Sequence, residues 1–232
     1  MRMYSIMELR HHFFFCLILV CTRISTCASQ CPSNMSAFRS VNVTSGTFDP
    51  TRMDGIWYEA AYQDPAQIGS RCQTLNSSFN KDNGVITIPF SVDYGPIPFS
   101  IVEVYQPTSV VGLYGKSAVP PFSKPGSAAT LTLPTVFVDV TAPSPSSPYD
   151  TMTLYSCLEV DGHAVTELIF ATRDKDVSDD SLAAMEAAAK AQGLDWEDGN
   201  LNRVNYDGCD VSMPKLAGQS SNLRGTTEKV SM

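Results

Sequence analysis

The residues of this 232-residue sequence that could do chemistry are its cysteines, its few histidines and several runs of carboxylates. Cys31, Cys72, Cys157 and Cys209 are widely spaced, and no C-x-x-C pair occurs, which argues against a zinc site. An even number of spaced cysteines in an exported chain reads as two disulfides, with three pairings open. Such bonds leave no thiol as a nucleophile. From Gln30 onward His163 is the sole histidine, so a Ser-His-Asp arrangement would have to use it. It follows the turn signal Asp161-Gly162, where a solvated imidazole is the ordinary outcome. Asp174, Asp176, Asp179 and Asp180 suit the entry of a helix and lack the Gly-centred loop of a calcium site. Asp195, Glu197 and Asp198 read as a solvated acidic patch, and no phosphate-binding glycine motif is present. These residues predict no catalytic centre, no cofactor and no metal. Asn34-Met-Ser, Asn42-Val-Thr and Asn76-Ser-Ser are acceptor tripeptides for N-glycosylation.

Export is itself an expectation from the first 29 residues. Arg2 and Arg10 precede the apolar run Phe13 to Cys21, and small polar residues follow. A membrane span needs roughly 20 apolar residues, so this shorter run reads as the core of a signal peptide and not as a stable span. Cys27 and Ser29 suit the positions before a cleavage site after Ser29. Cys16, Cys21 and Cys27 leave with the segment, as do Arg2, Arg10, Arg23 and Glu8, which carries the formal charge from −8 to −10. That acidic balance disfavours nucleic acid as a partner, since binding phosphate needs clustered Lys and Arg. A hydrophobic content of 43% suffices for a core.

The elements that must position these groups are mostly strands. Residues 30–54 form a polar lead-in. Nine β-type runs follow, at 55–63, 71–80, 84–90, 98–106, 109–118, 128–133, 135–141, 150–158 and 164–172, divided by turn signals such as Lys81-Asp-Asn-Gly84 and Asp93-Tyr-Gly-Pro96. Ile86, Ile88 and Phe90 alternate with polar or smaller neighbours, as do Leu131 and Leu133, and Met152 and Leu154, so one face of each run packs inward. The Pro/Ser stretch Ala142 to Pro148 reads as a loop. One helix is expected at 179–192, capped by Ser178, stopped at Gly193 and carrying Leu182, Met185 and Ala189 on one stripe. A run of antiparallel strands must hide its edges, which a closed barrel or a two-sheet sandwich does. Residues 213–232 read as a flexible tail.

Phe48-Asp-Pro-Thr-Arg-Met-Asp-Gly55-Ile-Trp57-Tyr58 resembles the G-x-W opening motif of the lipocalins. Cys31-Pro32, Arg71-Cys72-Gln-Thr-Leu-Asn, Tyr155-Ser-Cys157 and Ala171-Thr-Arg173-Asp then fall in the order of that family's apolipoprotein D-like, bacterial-type branch. The resemblance spans residues 30 to 210. It implies an all-β fold, an eight-stranded up-and-down antiparallel barrel with one C-terminal helix packed on it, over residues 55–212. It implies that Gly55, Trp57 and Arg173 hold the fold, the arginine lying on the tryptophan, and that the disulfides are Cys31–Cys157 and Cys72–Cys209. Two features depart from it. Its middle Thr-Asp-Tyr motif is met only by Thr141 and Tyr149-Asp150 across the Pro/Ser loop, and nine runs stand where eight strands belong, so that either 84–90 and 98–106 form one interrupted strand or hairpin insertion, or one run is a loop.

The function that the resemblance implies is carriage of a small hydrophobic ligand (a lipid, sterol, retinoid, carotenoid or pigment) in the barrel interior of a secreted protein, with no chemical conversion. The alternation makes Ile86, Ile88, Phe90, Tyr105, Leu131, Leu133, Met152 and Leu154 the candidate lining. Two other readings compete: a lipocalin-fold enzyme acting on a hydrophobic substrate, and a secreted interaction module that uses the barrel as a platform for loops.

Overall fold

A computed structural model describes residues 30–119, 132–196 and 199–209. The expected segments 1–29 and 213–232 and the residue Leu131 lie outside these. Eight strands form the barrel: β1 (Gly55–Gln63), β2 (Arg71–Phe79), β3 (Ile86–Tyr94), β4 (Ile97–Pro107), β5 (Leu113–Val119), β6 (Thr132–Thr141), β7 (Thr151–Val160) and β8 (His163–Thr172). Each pairs antiparallel with the next, and β8 returns to β1, so the sheet closes on itself. Closure leaves the eight strands no unpaired edge to protect. The fold is therefore the lipocalin-type up-and-down barrel.

The ninth expected run has a definite origin. Runs 84–90 and 98–106 are the separate strands β3 and β4, joined by a tight turn at Gly95 with φ +60°. The surplus came from splitting β6 at Pro134. This proline stands one residue before the first β6–β7 register pair, Thr135↔Ser156, where its missing N–H costs that ladder nothing.

Side chains alternate between two cores. The inward rows bring Trp57, Leu75, Ile88, Phe90, Phe137 and Met152 together in one cluster. The outward rows of β1, β6 and β8 supply Ala60, Ala61, Val136, Val138, Leu168 and Phe170 to a second cluster. Helix α1 (Asp179–Ala191) docks there through Leu182, Met185 and Ala189. The Ser178 side chain caps it by accepting from Ser181 N, and Gly193 follows at φ +88°. A two-residue strand β9 (Asn202–Arg203) then pairs with β1.

The lead-in is more ordered than its polarity suggests. It folds into 3-10 turns at Met35–Phe38 and Pro50–Met53 and a one-turn helix at Val41–Thr44. Val43 and Met53 are fully buried in the inward cluster, so this segment plugs one barrel end. At Gly112, on the same end, a Cβ would stand 2.4 Å from Val43 Cγ1, which is why glycine turns the chain there.

The disulfides are Cys31–Cys157 and Cys72–Cys209, the pairing that the resemblance implies. The first ties the lead-in to β7 and the second ties the segment after β9 to β2. Cross-linking over separations of 126 and 137 residues restricts the unfolded chain by about 4–5 kcal/mol each in the chain-entropy account, as an upper figure. Replacing Cys72 and Cys209 together by serine should lower the urea midpoint without changing the far-ultraviolet spectrum. An unchanged midpoint would show that this bond adds no stability.

Candidate functional site

The inward rows are graded along the barrel axis. On β8, Ala171 and Ile169 are buried, Glu167 and Val165 half-buried, and His163 exposed. On β4, Tyr105 is fully buried, Glu103 nearly so, Ile101 half-buried, and Phe99 39% exposed. The row Phe137, Thr135, Leu133 on β6 runs from buried to half-buried in the same direction. Among the described residues, burial thus falls along the barrel axis from the end where β1 begins toward the β3–β4 turn.

The plugged end of the barrel is built on Gly55, Trp57 and Arg173. Gly55 has φ +104°, a conformation that L side chains rarely adopt, and a Cβ there would stand 3.2 Å from Arg173 Nη1. The Arg173 guanidinium lies 3.7 Å from the Trp57 ring centroid. Arg173 also donates to the carbonyls of Tyr149, Ile56, Arg52, Met53 and Asp54, while Trp57 Nε1 donates to Met53 O. Burial lowers the Arg173 pKa to about 10, Asp54 acting the other way, so the side chain stays charged at neutral pH. Across the Pro/Ser loop, Thr141 and Asp150 meet directly: Thr141 Oγ1 donates to Asp150 Oδ1 and Asp150 N donates to Thr141 O, both at 2.9 Å. The loop bulges out between them without separating them.

Above this end lies a floor of apolar and aromatic side chains. Ile86, Ile88, Phe90, Tyr105, Met152 and Leu154, six of the eight residues expected to line the interior, all belong to the inward cluster and are at most 6% exposed. Tyr105, Tyr114 and Phe137 meet there at tilted and edge-to-face angles. Leu133 stands higher on the wall, opposite Lys116.

The residues that the sequence reading missed form a polar layer on top of this floor. Glu59, Glu103, Lys116 and Glu167 point into the barrel from β1, β4, β5 and β8. The Lys116 ammonium pairs with Glu103 Oε1 at 3.3 Å and with Glu167 Oε2. Tyr105 donates its hydroxyl proton to Glu103 Oε2 at 2.8 Å. Beside this triad, Gln67 Nε2 lies 3.5 Å from Glu59 Oε1, and the Tyr206 hydroxyl sits between the carbonyls of Glu59 and Gln73. Desolvation pushes the Glu59 carboxyl well above its ordinary range, and like charge on Glu167, Asp64 and Glu103 adds to it. Desolvation also raises Glu103, with Lys116 opposing. Asp64, half-buried by surface area at the end of β1, is pushed up to about 7, by desolvation first and Glu167 second. Desolvation alone would depress Lys116, but Glu103 and Glu167 outweigh it and hold the ammonium above its usual range.

A usable signal for this layer was parity. Glu103 is two residues from Tyr105, which is expected inside, so it shares that strand face; Glu59 and Gln73 stand in the same relation to the buried Trp57 and Leu75.

The other candidates stay dispersed. His163 and Asp195 are exposed, and Glu197 and Asp198 lie outside the described residues. No three His, Cys, Asp or Glu side chains among the described residues are placed to share a metal ion. No helix among the described residues is long and apolar enough to cross a membrane. An open pocket outside the barrel, between α1 and the segment after it, is lined by Asp179, Leu182, Glu186, Trp196 and Arg203. Its single cation, Arg203, is already paired with Asp179.

No protein-family model matches the sequence, and no curated protein matches it. Solved structures do. Apocrustacyanin C1 superposes with a TM-score of 0.54 at 15% identity, covering 76% of this chain and 87% of its own. Apocrustacyanin C2 gives 0.53 at 15% identity over 77% and 86%, and lobster apocrustacyanin A1 gives 0.52 at 17% over 76% and 87%. At such identities the likeness is one of fold.

Proposed function

We propose that this protein is exported and carries a small hydrophobic molecule in the cup of its lipocalin-type barrel, binding it reversibly with no bond made or broken. The observation that supports this reading most is the graded burial of the inward rows, which ends in half-buried apolar wall at Ile101 and Leu133. Apolar ligand surface moved from water onto that wall contributes about 25 cal/mol per Å2. On this reading Ile86, Ile88, Phe90, Tyr105, Met152 and Leu154 make the floor beneath the ligand and Leu133 its side, and Leu131, outside the described residues, is proposed as a further lining residue. The structural neighbours are named as apoproteins, which fits a fold that holds a separate small molecule. Two disulfides fit an oxidising compartment. Of the sequons, Asn34 is exposed with its amide nitrogen free of described partners, whereas Asn42 Nδ2 donates to Asp139.

The test is uptake of a fluorescent fatty acid by the folded protein. Leu133→Trp narrows the upper cup and should weaken uptake about tenfold or more, the effect of one misfit in an apolar pocket. Met152→Trp should block it through displaced floor residues. Unaltered uptake by both variants would remove these residues from the site. Native mass spectrometry of protein from its source should show a stoichiometric small molecule, whereas an empty barrel with a bound protein would support the platform reading.

A further inference from the structure

We propose that the ligand carried in the cup is an amphiphilic amine, whose ammonium head docks on Glu59, Gln67 and Gln73 while its apolar body lies along the upper wall. This rests on the carrier reading above and adds the chemistry of the head group.

Three buried side-chain oxygens in this group have no hydrogen-bond partner: Glu59 Oε2, Gln67 Oε1 and Gln73 Oε1. Their residues are 0%, 3% and 0% exposed. Buried polar atoms are nearly always paired, so three orphans in one place call for an occupant. With Glu59 ionised, as the bound ammonium requires, all three are acceptors. Gln73 Nε2 donates to Ser70 Oγ at 2.6 Å, and Ser70 Oγ donates in turn to Gln67 O at 2.6 Å, which leaves the Gln73 oxygen unpaired. The occupant must therefore bring donors, and an ammonium group carries three.

Charge selects the ammonium over a neutral hydroxyl. Among the described residues the single buried lysine, Lys116, is taken by Glu103 and Glu167, and no cation pairs with Glu59. The charges acting on Glu59 from the elements around it, Glu167 on β8, Asp64 after β1 and Glu103 on β4, have its own sign. A metal ion is the wrong cation here, since no three ligating side chains converge. The outer wall complements an alkyl body: Ile101 and Leu133 are half-buried, and Phe99 lies on the rim, where its ring meets Tyr94 edge-on.

Dodecylamine, dodecanol and dodecanoic acid share one chain and differ in the head, so competition against a fluorescent lipid separates the two readings. Hydrogen bonds to a charged group predict that the amine binds about 10-fold or more tightly than the alcohol at pH 7.5, and that the acid binds more weakly still. Glu59→Gln should collapse the amine-to-alcohol ratio toward one. Should that variant fail to fold, the wild-type protein still decides. Binding the amine requires the Glu59 carboxylate, so calorimetry in buffers of different ionisation enthalpy should show proton release, and amine affinity should fall as the pH drops. Equal or tighter binding of alcohol or acid would overturn the ammonium site and leave the carrier standing. Failure of all three to bind would overturn both.

Discussion

Replacing Lys116 by methionine should destabilise the protein by about 3–5 kcal/mol at neutral pH, the usual cost of removing one partner from a buried ion pair. Methionine fills nearly the same volume, so the loss is electrostatic. Without the ammonium, Glu103 and Glu167 face each other inside the barrel with only the Tyr105 hydroxyl as a donor to the pair. The triple variant K116M, E103Q, E167Q should recover most of that loss, because buried triads replaced as a unit are often neutral. Acidity provides an independent check. The Glu103 carboxyl is already raised in the folded protein by desolvation, and Lys116 is the charge that lowers it. A carboxyl raised on folding makes the native state the better proton binder, so stability falls as pH climbs from the unfolded value through the folded one. Removing Lys116 raises Glu103 further and widens that window. The K116M deficit should therefore be smaller at about pH 5 than at about pH 7.5, the first lying within reach of ordinary carboxylate titration. Urea unfolding at both values measures it. Wild-type stability for K116M at neutral pH would mean that the triad is hydrated and not buried.

The same triad shows why the fold was more legible than its interior. The barrel was readable because its determinants are local or carried by type: period-two alternation, turn glycines, four spaced cysteines, and a G-x-W paired with a late arginine. Alternation says that a strand has two faces but not which face a charged residue takes. At Glu103 the flanking Val102 and Val104 favour an outward glutamate by hydrophobicity, whereas Tyr105, expected inside, favours an inward one by parity. The structure follows parity: Glu103 and Tyr105 share the inward face and the valines are half-buried outside. What stabilises the inward choice is Lys116, thirteen residues away on another strand, and Glu167, further still. No spacing in the sequence announces a partnership that exists only after the barrel closes. The lead-in was misjudged for a related reason. Polar between its anchors, it has Met35, Val43 and Met53 as its buried apolar residues, too few to show a period. The two runs that meet in β6 are split by a local rule about proline, which fails here because Pro134 pairs with β5 on one side and lies outside the β6–β7 ladder on the other.

At the closed end, Arg173→Met should cost about 3–5 kcal/mol, and Arg173→Lys should restore less than half of it. Hydrogen bonds to a charged donor contribute roughly 1.5–3 kcal/mol each and are not additive, and some of the carbonyls freed here can turn to water. Five carbonyls accept from this one guanidinium: Ile56 at the start of β1, Arg52, Met53 and Asp54 in the lead-in, and Tyr149 before β7. Lysine keeps the charge but offers a compact point with no planar fork, so it can serve only part of that arc and stacks poorly on Trp57. The loss should be local before it is global. Met53 O accepts both from Arg173 and from Trp57 Nε1 at 2.8 Å, so the plug and the tryptophan loosen together. With Trp196 replaced by phenylalanine, Trp57 is the remaining tryptophan, and its emission should shift to the red in R173M while the protein is still folded. Gly55 supplies the control for mechanism. Gly55→Ala meets both a φ of +104° and a contact 3.2 Å from Arg173 Nη1. In the R173M background the contact disappears and the backbone strain remains, so the cost of G55A should shrink without vanishing. Strict additivity of the two substitutions would show that the guanidinium does not press on Gly55, and that the glycine is held there by backbone conformation alone.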